Sequence, residues 1–290
     1  MKKIILITPV YNDWESFNKL LDEISLTVEN LHNVAFELIV INDGSTMLTP
    51  KINIPKNIKK IEILNMKKNN GHAICLAHGI RYCLKNYEFD YIILMDADGE
   101  DRPVEIRDLI FKIDKDPNTS IVAKRVKRSE GPIFRVFYQC HKILTLVFTG
   151  KLMNFGNFSI LTKKDAEVLS IDHTLNSNIS GTVKKNIKNL GYINCVRGKR
   201  YFGPSKMPLA KLIFHSFSII AVFKMNVFLR SALFIILFSY LNPYIGIYGH
   251  VLSIVIVFFN LMIYYVSLMI EKNKKINTDH EQKNSEIIAH

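Results

Sequence analysis

Cysteine is scarce. The four present, Cys75, Cys83, Cys140 and Cys195, are scattered with no C-x-x-C pair among them. That spacing excludes a zinc ribbon and a disulfide framework, and it suits a reducing compartment. Glycine motifs that cradle phosphates are missing as well. No G-x-G-x-x-G or G-x-x-x-x-G-K-[ST] occurs, and Gly191, Gly198 and Lys199 have the wrong spacing, so dinucleotide-binding and P-loop readings lose their main support. Neither H-E-x-x-H nor G-x-S-x-G is found, which removes the usual signatures of zinc metalloproteases and α/β-hydrolases. The start of the chain does not read as a secretory signal, because the apolar run 4–7 gives way at once to Thr8, Pro9, Asn12 and Asp13. Acidic residues are outnumbered, 26 against 38 basic ones, for a formal net charge of +12. Such a balance serves nucleic acid, anionic lipid or phosphorylated substrates.

The 290 residues, 48 % of them hydrophobic, exclude a disordered or collagen-like chain and allow one large domain or two ordinary ones. Their distribution is uneven. Residues 1–207 have the composition of a soluble α/β protein, whereas 226–270 are almost purely apolar. The pattern is that of a soluble domain with a membrane anchor. It favours lipid and phosphorylated partners and disfavours nucleic acid.

In the first part, short apolar runs at 4–8, 36–41, 60–64, 91–95 and 120–123 read as buried strands. Between them, 14–31, 71–85 and 103–113 read as helices, the last with Pro103 in its first turn. Alternation of this kind predicts a mainly parallel sheet covered on both faces, with ligands at the carboxyl ends of the strands. Beyond it, 135–148 reads as a helix, 159–161 as a strand and 163–169 as a helix. Residues 208–225 are apolar on one side and carry Lys211, His215 and Lys224, as an interfacial helix would. Two hydrophobic segments follow, 227–244 and 246–270, with a turn expected at Leu241-Asn242-Pro243-Tyr244. The second has one His and no charge, enough to cross a core of roughly 30 Å; in the first, Arg230 stands near one end, where it can snorkel. Lys224 and Arg230 flank the pair on one side and Lys272, Lys274 and Lys275 on the other. The positive-inside rule then places both ends, and with them the soluble domain, in the cytoplasm. Residues 271–290 are expected to form a polar, frayed tail. Two buried core helices are the alternative to the hairpin.

Five groups of residues carry candidate chemistry, each with a blander reading beside it. Asp96-Ala97-Asp98 follows a buried strand, with Glu100 and Asp101 close behind. Hard divalent cations such as Mg²⁺ or Mn²⁺ relieve such like-charge crowding and are shared with phosphates; a solvated acidic turn is the plainer explanation. Asp43 ends another strand in a tight turn, suited either to a nucleoside hydroxyl or base or to an Asx-turn. The loop Thr8-Pro9-Val10-Tyr11-Asn12-Asp13 offers rigid polar and aromatic groups to a nucleotide, or a helix N-cap from Asn12 or Asp13. His72 in Asn69-Asn70-Gly71-His72 is a ligand contact or a neighbour of a helix cap. Lys124, Arg125, Lys127, Arg128 and Arg135, with Arg197, Lys199, Arg200 and Lys206 around Gly203-Pro204-Ser205, would clamp phosphate or form a solvated or lipid-facing patch.

Taken in order, these blocks resemble glycosyltransferase family 2, and most closely its dolichyl- and polyprenyl-phosphate sugar synthases. The resemblance rests on Thr8–Asp13, Val40-Ile41-Asn42-Asp43-Gly44-Ser45, Asn70-Gly71-His72 with Gly79, Met95-Asp96-Ala97-Asp98-Gly99-Glu100-Asp101-Arg102-Pro103, Gly156-Asn157-Phe158-Ser159 and Arg200-Tyr201-Phe202-Gly203-Pro204-Ser205-Lys206. It spans residues 1 to about 270. It implies a GT-A catalytic domain (α/β, Rossmann-like, mainly parallel sheet) over 1–207. An amphipathic juxtamembrane helix over 208–225, a transmembrane hairpin over 226–270 and a cytoplasmic tail over 271–290 complete the expected organisation. The implied reaction is inverting, metal-dependent transfer of a sugar from a nucleotide-sugar to a polyprenyl phosphate at the cytoplasmic membrane face. Pro9, Tyr11, Asp13, Asp43, Asn70, Gly71, His72 and Asp96 would line the donor site. Asp96, Asp98 and Glu100 would hold Mg²⁺ or Mn²⁺. Arg125, Arg128, Arg200, Ser205 and Lys206 would contact the diphosphate or the lipid phosphate, with Asp98, Asp96 and Arg200 at the chemistry. The partners implied are the donor, the lipid acceptor and the membrane; self-association is left open.

Two departures from the family pattern stand out. Gly99-Glu100 replaces the usual Leu-Gln, and Asn157 stands where an Asp is frequent. Asn cannot serve as a base. A phosphate monoester, with a second pKa near ~6, needs none, whereas a sugar hydroxyl normally does. Transfer to a sugar hydroxyl of a glycan, and a catalytically inactive membrane scaffold of the same fold, are the competing readings. A processive polysaccharide synthase would carry Q-x-x-R-W, which a chain whose sole tryptophan is Trp14 does not contain.

Overall fold

The computed structural model describes residues 1–127, 132–203, 209–273 and 282–289. They fall into two compact units, one built from the described parts of 1–129, 154–206 and 276–290, the other from those of 130–153 and 207–275.

The first unit holds one eight-stranded sheet in the order β7-β5-β6-β4-β1-β2-β3-β8. Its strands are β1 Lys2–Val10, β2 Val34–Asn42, β3 Ile58–Met66, β4 Tyr91–Leu94, β5 Ser120–Lys127, β6 Phe155–Thr162, β7 Leu190–Val196 and β8 Gln282–Ala289. β1 pairs in parallel with β2 and β4, β2 with β3, and β5 with β7. β6 runs antiparallel between β4 and β5, and β8 runs antiparallel on β3. Ile4, Ile5, Leu6 and Ile7 are all buried, because helices cover both faces and erase the in-out alternation of a half-exposed strand. On one face α1 (Trp14–Val28) and α3 (Ile106–Lys115) set Phe17, Leu20, Ile106 and Leu109 against Leu6, Leu38 and Ile93. On the other, α2 (His72–Asn86), α5 (Lys163–Ile171) and α6 (Ile179–Asn186) set Leu76, Ile80, Leu169 and Val183 against Ile7, Ile39 and Ile92. The mainly parallel, doubly covered sheet expected from the alternation is thus present.

The second unit contains α4 (Pro132–Thr149), α7 (Leu209–Ala221), α8 (Lys224–Ile245) and α9 (Ile247–Asn273). Its small core joins Ile220, Val227, Ile263 and Val266 to Phe148 and Phe259, whose rings lie 4.5 Å apart. Lys224 reaches from the start of α8 to Glu271 and Ser267 near the end of α9, at 2.6 and 3.3 Å. α8 and α9 are each long and apolar enough to cross a membrane, by length and composition. Leu229, Leu233, Ile236, Tyr240, Ile254 and Phe258 are exposed on them.

Three expectations need correction. The turn does not fall at 241–244: α8 continues through Pro243, and the chain reverses at Gly246, whose left-handed φ of +55° lets its N–H reach Asn242 O at 2.8 Å. Residues 282–289 of the polar tail form β8, placing Ile287 and Ile288 opposite Glu62 and Ile61 of β3. Finally, α4 groups with the apolar helices and not with the sheet, because its Phe148 packs on Phe234 and Phe259.

Candidate active site

Three strand ends converge. β1 runs out into Tyr11, Asn12 and Asp13, β2 into Asp43, and β4 into the turn 96–101. Asn12 takes φ +49°; its Oδ1 accepts the N–H groups of Thr46 and Met47 at 2.9 and 3.1 Å, which ties the first loop to the second. Asp43 is 3 % exposed. Its two carboxylate oxygens accept the N–H groups of Asn70 and Gly71 at 2.7 and 3.0 Å, fixing the entry to α2. Burial pushes its pKa up against those hydrogen bonds. Pro9, Val10, Tyr11, Asp43, Asn69, Gly71 and His72 line a cleft of about 190 Å³. Five of the eight residues read from the sequence as donor-binding therefore share one cavity, and Asn70 is bonded to its wall.

The turn after β4 is crowded with carboxylates, and each has a basic partner. His72 Nε2 lies 3.1 Å from Asp96 Oδ1 and 2.9 Å from the Asn157 amide. Arg125 pairs with Asp101 at 3.3 Å, and Arg197 with Glu100. Arg200 bridges Asp98 and Asp13, the latter at 3.0 Å. Burial raises Asp98 to about 6 and Asp101 to about 7, with the Asp96 charge adding to both. Asp96 goes the other way. Burial would raise it, but His72, then Arg125 and Arg197, outweigh burial and hold it well below the usual range. His72 is lowered by burial and raised further by Asp96, with a net upward shift. Asp101, 3 % exposed, also accepts the Asp96 N–H at 3.2 Å, so it braces the turn from within.

The departure at Gly99 has a steric cause. Gly99 sits at φ +86°, and a Cβ there would lie 2.7 Å from the Tyr201 ring. Tyr201 donates its N–H to Asp98 O at 2.9 Å, and its hydroxyl to Glu23 of α1 at 2.7 Å. Gly198 donates to Glu100 O at 2.8 Å. The segment 198–201 is thereby laid along the acidic turn by main-chain bonds, which sets Arg197 on Glu100 and Arg200 on Asp98. The added charge of Glu100 is matched by Arg197. Asp13 occupies the N-cap position of α1 but caps no backbone N–H; its oxygens take Ser16 Oγ at 2.6 Å and Arg200.

The structure therefore brings together Pro9, Tyr11, Asp13, Asp43, Asn70, Gly71, His72, Asp96, Asp98, Glu100 and Arg200. Arg125 is drawn inward to Asp101, where it serves as an internal counter-ion. Arg128, Ser205 and Lys206 lie outside the described residues. The Asp43 anchor, the Glu23–Tyr201 bond and the match of Gly99 to Tyr201 were not read from the sequence; the last had a signal in Gly99 itself, a glycine where the pattern has leucine.

The donor set suits a hard divalent ion. Asp96 Oδ1 is buried with His72 Nε2 beside it at 3.1 Å, and Asp98 stands two residues on. No group of three or more His, Cys, Asp or Glu residues is arranged to hold a metal among the described residues. An ion here would draw its remaining ligands from a bound phosphate.

Comparison with known proteins bears on the family and the fold. The glycosyl transferase family 2 model matches residues 5–175. An uncharacterized glycosyltransferase of Synechocystis sp. is 26 % identical over 56 % of this chain and 51 % of its own length. The undecaprenyl-phosphate 4-deoxy-4-formamido-L-arabinose transferase of Salmonella choleraesuis is 26 % identical over 73 % of this chain and 65 % of its own. The chain thus spans about half to two thirds of the length of these relatives. Among solved structures, glucosyl-3-phosphoglycerate synthase from Mycobacterium tuberculosis, crystallised with Mn²⁺, UDP-glucose and phosphoglyceric acid, superposes with a TM-score of 0.57 at 15 % identity, covering 78 % of this chain and 80 % of the other. That likeness bears on the fold, which is GT-A. The family match covers more than half of the chain, and the chain belongs to glycosyl transferase family 2.

Proposed function

We propose that this glycosyltransferase moves a sugar from a nucleotide-sugar to a polyprenyl phosphate at a membrane surface, with inversion at the anomeric carbon. The observation that carries the donor half is the cleft lined by Pro9, Tyr11, Asp43 and His72, which opens beside the acidic turn. The nucleoside enters the cleft, and the diphosphate lies toward Asp96, Asp98 and Arg200. Asp96 and Asp98 would hold Mg²⁺ or Mn²⁺, which would neutralise charge on the leaving diphosphate. Arg200 supplies a forked donor to the same phosphates. Crystallisation of the mycobacterial synthase with Mn²⁺ and UDP-glucose supports this donor chemistry.

The acceptor half rests on three supports. Asn157, within 2.9 Å of His72, provides no base, and a phosphate nucleophile requires none. The Salmonella relative is named for transfer to undecaprenyl phosphate. The two apolar helices would confine enzyme and lipid to one surface, which raises their effective concentration. With Lys224, Arg230 and Lys272 at the flanks, that face is cytoplasmic.

The test is direct. Membranes containing the chain are incubated with radiolabelled nucleotide-sugars and Mn²⁺ or Mg²⁺, and the lipid is extracted. Metal-dependent, acid-labile label in the organic phase is expected. Label appearing only in a glycan, stable to mild acid, would replace the acceptor with a sugar hydroxyl; no label with any donor would favour the inactive scaffold.

A further inference from the structure

We propose that Arg200 is the resident cation of the acidic turn, occupying Asp98 until the donor's diphosphate draws its guanidinium away and a divalent ion takes its place. The inference deepens the metal-dependent reading above and rests on it. It starts from a division of labour among four basic side chains. Arg125 is confined to Asp101, a buried carboxylate that also holds the Asp96 backbone. Arg197 sits on Glu100 and His72 on Asp96. Arg200 joins two strand ends, through Asp98 after β4 and Asp13 after β1.

Its attachment is incomplete in a telling way. Arg200 Nε is buried and has no acceptor, although a guanidinium has five N–H groups to place. Nothing in the backbone resists its departure. Residues 198–201 are held to the turn by the Gly198 and Tyr201 N–H groups and by the Tyr201–Glu23 bond, none of which involves the Arg200 side chain. The long side chain can therefore leave Asp98 while the loop stays docked. A phosphate pair suits the fork as well as the two carboxylates do. Two cations cannot share one carboxylate oxygen at contact distance without strong repulsion, so arrival of the ion at Asp98 and departure of Arg200 are one exchange. It follows that the ion alone binds poorly, and that the diphosphate strengthens its binding by relocating Arg200, with reciprocal coupling between the two ligands.

The experiment measures binding of Mn²⁺ alone to the full detergent-solubilised chain by electron paramagnetic resonance of the free ion, with and without UDP and GDP. Arg200→Gln is expected to bind Mn²⁺ alone about tenfold more tightly than the unsubstituted protein, within the usual range of coupling, and to lose most of the enhancement produced by the nucleotide. Arg200→Lys, which keeps the charge but not the fork, is expected to fall between them and serves if Arg200→Gln does not fold. Arg102→Gln removes an equal charge that pairs instead with Glu105 and is expected to change nothing. Equal Mn²⁺ affinity in the unsubstituted protein and both Arg200 variants overturns the exchange, as does an increase in Arg102→Gln matching that in Arg200→Gln. If no variant binds Mn²⁺ even with nucleotide present, the metal reading itself falls and takes the inference with it.

Discussion

Asp98 is half-buried among its neighbours and raised to about 6, yet it keeps Arg200 on one oxygen and the Glu100 N–H, at 2.9 Å, on the other. Replacing it leaves Arg200 with Asp13 alone. Asp98→Ala is expected to abolish sugar transfer while the protein still enters membranes at the normal level; transfer near that of the unsubstituted protein, assayed after purification, would remove Asp98 from the chemistry. Gly99 offers a second test. Its φ of +86° and the Tyr201 ring beneath it make Gly99→Ala costly by at least ~1 kcal/mol, measured as a shift in the chemical-denaturation midpoint. In a Tyr201→Ala background the steric part should vanish, so the two substitutions should be non-additive. At this scale the sequence showed which side chains gather, because polar residues after apolar runs mark strand ends. It did not show which acid takes which base. That pairing depends on the return of residues 197–201 from far along the chain and, for Arg125 and Asp101, on the place of β5 in the sheet.

Elements were legible in proportion to what they bury. The strands inside the sheet carry short apolar runs and were found from them. β7 and β8 were not anticipated, and they are the two edges of the sheet. Edge strands face water on one side and spend few apolar residues: β7 buries little beyond Cys195, and most of β8 is exposed. Polar devices at helix starts are similarly quiet in sequence and strong in the fold. Asp172, after α5, accepts bonds from Thr174 N–H at 2.9 Å, Lys185 at 2.8 Å and Asn186 at 2.9 Å. Burial would raise its pKa, but these bonds outweigh burial and hold it far below the usual carboxylate range. A carboxylate lowered on folding stabilises above its unfolded pKa and loses that contribution as pH falls through the folded one. Asp172→Asn is therefore expected to cost about 1–2 kcal/mol at neutral pH. The difference from the unsubstituted protein should shrink progressively below pH 3.8, as read from denaturation midpoints across that range. A constant difference would show that the charge is immaterial.

For the whole molecule, the division into a polar α/β body and an apolar remainder was plain from composition, since long charge-free segments have few soluble uses. The assignment of α4 to the apolar helices was not, because its sequence is amphipathic and only the partners it meets decide its unit. Excision of α8 and α9, with a short polar linker in their place, is expected to release the chain from membranes into the alkaline-carbonate supernatant. It should also slow transfer to membrane-embedded polyprenyl phosphate far more than it weakens nucleotide binding. Equal pelleting of the shortened chain would assign membrane attachment to another surface.

β8 reaches its place only by way of α8 and α9. The free edge of β3 is therefore covered by a strand that the ribosome makes after the apolar pair, so the sheet stays one ribbon short throughout synthesis of that pair. Until then the exposed rim of β3 is a site where nascent chains can stick to one another, and completion of the sheet reports that everything between β7 and β8 has already been made.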